Sequence, residues 1–172
     1  LLFIFCSHFI FTVYWFKVLG AHGVILGLEP AAAYLKKSHP SYHAPSYPAM
    51  EFINASLPQS ARILFLGEAR GFHCRRDYIS TTVFDESPLQ GWINQSATPQ
   101  ALKGFFDKEK ITHVLVNRLE LARWQNQAKR FLELDQRGLK VWQDFMRQFL
   151  RPVFENEGPM TRGMPDTWTV VY

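Results

Sequence analysis

Residues 1–16 carry no formal charge, and Leu1, Phe3, Ile4, Phe5, Phe9, Ile10, Phe11 and Val13 put apolar side chains on every face of a helix instead of along one stripe. Read as one helix, residues 1–28 extend about 40 Å at roughly 1.5 Å per residue, enough to cross a hydrocarbon core of roughly 30 Å. Lys17 is the sole fully charged residue in that stretch, and Tyr14, Trp15 and Lys17 match the aromatic and basic residues that settle at a membrane interface. The expectation is a transmembrane helix with an interfacial end. Ser7, His8, Thr12 and His22 interrupt the run, so its hydrophobic part is expected to stop near Phe16. A secretory signal needs a basic region before its apolar core, and none precedes this one. A buried helix of a soluble protein needs a polar face, which this pattern lacks. The first residue is leucine, not methionine, so the span reads as the terminal part of a membrane protein.

The pattern then changes. Residues 29–57 carry Pro30, Pro40, Pro45 and Pro48 with Tyr34, Tyr42 and Tyr47 between them, a density of proline that breaks long helices. This stretch reads as a link with short helices over 30–37 and 48–57, and a loop over 39–47 near the membrane surface. Residues 58–172 read as one α/β extramembrane domain. The apolar run 63–66, stopped by Gly67, predicts a central strand buried on both faces, and 113–116 predicts another. Residues 78–84 are rich in β-branched side chains and predict a further strand. Helices are expected over 87–94, over 99–110 behind Thr98 as N-cap with Pro99 at the first helical position, and over 119–134. Leu139, Trp142, Phe145, Met146 and Phe149 recur at helical spacing and predict a last amphipathic helix. Residues 153–155 and 167–172 predict a closing hairpin around the loop 156–166. The fold class is therefore α/β: a small three-layer Rossmann-like domain with a mostly parallel central sheet and a C-terminal β-hairpin, preceded by a hydrophobic transmembrane helix.

Composition narrows the function more than it names one. The formal charge of +4 is mild and its basic residues alternate with acids, as in Asp107, Lys108, Glu109 and Lys110, which describes a solvated helix face and speaks against a nucleic-acid partner. Cys6 lies in the apolar opening and Cys74 in the domain, so no disulfide between them is expected. No Cys/His spacing matches a zinc site, and neither a metal nor a cofactor is expected.

The densest candidate for chemistry is Gly67, Glu68, Ala69, Arg70, Gly71, Phe72, His73, Cys74, Arg75 and Arg76, directly after a buried strand, where open α/β sheets carry their ligand sites. Gly67 and Gly71 allow a backbone to approach an anion, and Arg70, Arg75 and Arg76 are suited to hold phosphate. The alternative is a tight turn whose Glu68 pairs with a nearby arginine. The segment lacks both the three-glycine dinucleotide spacing and the glycine-lysine-serine/threonine end of a P-loop. Asp85 and Asn117 fall on the same sheet edge as Glu68 if the three strands are parallel, and each has an alternative reading as a turn or helix cap. No glycine-x-serine-x-glycine elbow supports serine chemistry, and no catalytic residue is assigned.

The order of an apolar span, a Tyr- and Pro-rich link, Phe52-Ile53-Asn54 with Leu57-Pro58, residues 63–67, Glu68-Ala69-Arg70, Phe84-Asp85 and then Ile111 to Asn117 resembles the C-terminal extramembrane domain of bacterial polytopic proteins similar to the dolichyl-phosphate-mannose protein mannosyltransferase group of membrane-embedded glycosyltransferases. The resemblance implies a parent enzyme that moves sugar from a polyprenyl-phosphate donor on the outer side of the cytoplasmic membrane. Its catalytic acid belongs to an early outer loop that no residue here matches. The chain is then an accessory domain whose partners are the lipid bilayer, the missing transmembrane part and, through them, the polyprenyl-phosphate sugar or the acceptor. Two other readings stay open: a self-sufficient domain binding a nucleotide or other anion at the strand ends, and a protein-interaction domain.

Overall fold

The computed structural model describes residues 2–37, 44–82, 84–127, 132–157 and 167–172. The apolar opening forms α1 (Leu2–Leu19), which stops where Gly20 adopts a φ of 67°, the left-handed conformation that ends helices and that glycine reaches without strain. The expected single helix over residues 1–28 is thereby corrected: α2 (His22–Ile25) and α3 (Ala31–Leu35) follow as separate short pieces. Among the described residues no helix is long and apolar enough to cross a membrane. The expected loop over 39–47 lies largely outside the described residues, and its end, Ala44 to Ser46, is buried.

Next come α4 (Tyr47–Ser56), β1 (Arg62–Leu66), β2 (Asp77–Ile79), α5 (Pro88–Gln95), α6 (Pro99–Lys108), β3 (His113–Asn117), α7 (Arg118–Gln127), α8 (Gln136–Phe149), β4 (Phe154–Glu157) and β5 (Thr167–Val171). The five strands form one sheet in the order β2-β1-β3-β5-β4. β1 runs parallel to β2 and to β3, with Ile63 opposite both Tyr78 and His113, while β5 runs antiparallel to β3 and to β4. Four of the five strands thus point the same way, the mostly parallel α/β sheet expected from the sequence, with the hairpin at its edge.

The apolar runs are continuous because helices cover both faces. Ile63, Phe65, Leu115 and Val171 face α4 and meet Ala49, Met50 and Ile53. Leu64, Leu66 and Val114 point the other way, onto Leu89 and Ile93 of α5, Leu102 and Phe106 of α6, and Val141 and Phe145 of α8. Alternate strand residues feed opposite cores, and each fully buried large side chain contributes roughly 1.5–3 kcal/mol of transfer free energy. Thr98 caps α6 as expected, its hydroxyl accepting from the Ala101 amide at 3.2 Å.

Two expected elements are shorter. β2 spans three residues, not 78–84, because Asp85 Oδ2 accepts from the Thr82 amide at 2.9 Å and hydroxyl at 2.7 Å, turning the chain out of the ladder; Val83 lies outside the described residues. The helix expected over 119–134 is α7 up to Gln127. Residues 128–131 are outside the described residues, and residues 132–135 are not helical, with Asp135 instead capping α8 through a 2.6 Å bond from Gly138 N. The hairpin loop beyond Glu157 is also outside the described residues up to Thr167.

Candidate functional site at the strand ends

The strand order reverses between β1 and β3, so the carboxyl ends of these two strands form the crevice in which open α/β sheets bind ligands. Glu68 stands at the end of β1 and Asn117 at the end of β3. Gly67 makes the turn possible with a φ of 74°, and a Cβ there would lie 2.6 Å from the Asn117 carbonyl oxygen and 2.7 Å from Leu121 Cγ. The first turn of α7, which starts at Arg118 directly after β3, therefore packs onto the mouth of the crevice.

Glu68 is 1% exposed. Its Oε1 accepts from Arg70 N at 3.0 Å and from Arg70 Nε at 2.9 Å, and its Oε2 accepts from Asn117 Nδ2 at 3.2 Å. A carboxylate taken out of water at this depth needs such charged and polar donors. Asn117 is bifunctional: its Oδ1 accepts from Glu120 N at 3.1 Å, capping α7, while its amide nitrogen serves Glu68. Glu120 is itself buried and pairs with Arg123 at 2.6 Å. Thr169 sits opposite Asn117 in register and is fully buried, and its hydroxyl has no hydrogen-bond partner among the described residues.

Of the residues singled out in the sequence, Gly67, Glu68, Arg70 and Asn117 come together here. Gly71 is buried against the Tyr78 ring, which in turn stacks on Phe65 at 4.9 Å. Asp85 is exposed in its own turn, where the Thr82 hydroxyl and amide hold its carboxyl below the usual value. Arg75 and Arg76 leave the cluster because the ten residues between β1 and β2 return the chain to the amino edge of the sheet, where Asp77 pairs with Arg62 in register. The Arg75 amide donates to Asn54 Oδ1 at 2.7 Å. Buried Arg76 gives its guanidinium to the carbonyls of Asn54, Leu57 and Pro58 at the end of α4. Cys74 is half-buried, and desolvation raises its thiol pKa, which slows thiolate chemistry.

Glu120, Arg123 and Thr169 were not marked by the sequence reading. The spacing of Asn117 and Glu120 is that of a capping box and is a signal for the first of them. Nothing in sequence spacing brings Thr169 to Asn117, since their meeting depends on the register of β3 with β5. Among the described residues no three His, Cys, Asp or Glu side chains gather as a metal site. Among the described residues, surface cavities of about 450 and 360 Å³ lie elsewhere, one between α8 and Tyr172 and one between α6 and α8. No protein-family model, curated protein or solved structure matches the chain.

Proposed function

We propose that this chain is the C-terminal extracytoplasmic domain of a polytopic membrane glycosyltransferase-like protein that uses a polyprenyl-phosphate sugar, and that it serves the parent enzyme without a complete active site of its own. The parent's identity rests on the sequence resemblance. The membrane tether rests on α1, the observation that carries the reading: Phe3, Phe5, Ile10, Phe11 and Tyr14 are each at least 60% exposed, and they surround the helix. Such a surface is stable in lipid or against other apolar helices and costs roughly 25 cal/mol per Å² in water. At 18 residues α1 is about 27 Å long, just under a hydrocarbon core, so it serves as a tether whose Tyr14, Trp15 and Lys17 end lies at the interface.

The accessory role is supported by how the charged groups at the strand ends are already engaged. An anion at the β1 and β3 ends would meet the buried Glu68 carboxylate, with Arg70 directed to that carboxylate and Arg76 committed to the end of α4. Like charge in a low-dielectric site opposes phosphate, which disfavours the self-sufficient nucleotide-binding reading.

The test is membrane retention and turnover together. In proteoliposomes the chain is expected to resist carbonate extraction and to transfer no sugar from a polyprenyl-phosphate donor to any acceptor. Release by carbonate removes the tether, and turnover by the chain alone removes the accessory role.

A further inference from the structure

We infer that the turn at residues 71–74 is a second membrane contact, an aromatic anchor that fixes the domain against the lipid surface from which α1 emerges; this rests on the membrane tether proposed above. Phe72 is 92% exposed at the tip of this turn, which is closed by a bond from Cys74 N to Gly71 O at 2.9 Å. An apolar ring of that size standing in water on a β-turn is the reverse of ordinary turn chemistry.

The turn is rigid. Gly71 packs against Tyr78, and Asn54 of α4 clamps the other end, donating to His73 O and accepting from Arg75 N, both at 2.7 Å. A preorganised tip loses little entropy on insertion. Exposed His73 and Arg75 follow Phe72, and a basic side chain beside an inserted aromatic suits anionic headgroups.

What commits the occupant to lipid is continuity with α1. The Tyr34 hydroxyl donates to Leu19 O at the end of α1 (2.9 Å), and Lys36, one residue beyond α3, pairs with Glu51 of α4 at 2.7 Å. One turn earlier on the same helix, Tyr47 meets the His73 ring at 5.1 Å, and His73 meets Phe72 at 5.1 Å. An unbroken run of contacts thus joins the interfacial end of α1 to Phe72.

The experiment places an environment-sensitive fluorophore on the full chain carrying Phe72→Cys in a Cys6→Ser, Cys74→Ser background, with Leu139→Cys on α8, across the sheet, as the control. Far-UV circular dichroism checks the fold of each. In phosphatidylcholine–phosphatidylglycerol vesicles the label at 72 is expected to shift to the blue and to lose intensity when shallow nitroxide lipids are added, while the label at 139 keeps its aqueous emission. A chain that floats with the vesicles while its label at 72 stays aqueous overturns the anchor and leaves the tether standing. A blue shift without lipid quenching means burial against protein and also overturns it. A chain that does not float removes the tether and the anchor together.

Discussion

Replacing Arg76 by alanine is expected to destabilise the domain by about 3 kcal/mol, although an arginine in a glycine-containing loop after a buried strand invites a ligand-binding role. Arg76 is 7% exposed. Its Nε donates to Pro58 O at 2.9 Å and Leu57 O at 3.2 Å, and its Nη2 donates to Asn54 O and Leu57 O, both at 2.8 Å. These carbonyls close the C-terminal end of α4, where the helix has no further amides to offer and a cation is favoured by roughly 0.3–1 kcal/mol. Alanine leaves them without their donor. Pro58 is exposed and regains water, which leaves the buried Leu57 carbonyl and the partly buried Asn54 carbonyl, a buried carbonyl without a partner costing about 1–3 kcal/mol. With about 3–5 °C per kcal/mol for a domain of this size, the melting temperature should fall by about 10 °C. Thermal melts followed by circular dichroism in a mild detergent read this directly, with Arg75→Ala as control. The Arg75 side chain is exposed and its bond to Asn54 comes from the backbone, so its loss should stay within about 0.5 kcal/mol. Arg76→Lys, which keeps the charge without the fork, should fall between the two. If Arg76→Ala melts with Arg75→Ala, the account of the α4 end is refuted.

Further tests address the crevice and the sheet. Gly67→Ala should cost about 2–5 kcal/mol in the same melts, from a left-handed conformation worth about 1–2 kcal/mol and overpacking worth about 1–3 kcal/mol, because the new Cβ meets the Asn117 backbone, which cannot move aside. A neutral result would mean that the crevice is open. Burial lowers the pKa of His113 below 6.5, so its neutral form is favoured on folding. Its contribution is full above pH 6.5, is lost as the pH falls from there through the lowered folded value, and is flat below that. His113→Gln should flatten this acid limb in denaturant titrations at successive pH values, and an unchanged limb would contradict the assignment.

The core was legible where one physical cause dominated. The runs 63–66 and 113–116 read as strands because burial on both faces accounts for short apolar runs, the first ended by Gly67 and the second by Asn117, and Thr98 with Pro99 marked α6 by capping chemistry that acts locally. The helix read through to residue 28 ends at Leu19, because Gly20 takes a left-handed backbone conformation that hydropathy does not report. β2 was overextended because the Asp85 to Thr82 turn overrides the β propensity of Thr81 and Thr82. Of the site, the meeting of Glu68 with Arg70 and Asn117 follows from parallel strands and could be foreseen. The departure of Arg76 could not, since its partners lie some 18 to 22 positions earlier in the chain and are backbone carbonyls of no particular residue type.

The proposed service to a membrane-embedded glycosyltransferase is tested most directly by the reading frame upstream of Leu1, followed to its start codon and scored for apolar spans. Many spans are expected, with an acidic residue in the first outer loop, where the parent's catalysis would reside. A start codon immediately before Leu1 would contradict it, leaving no parent for the domain to serve.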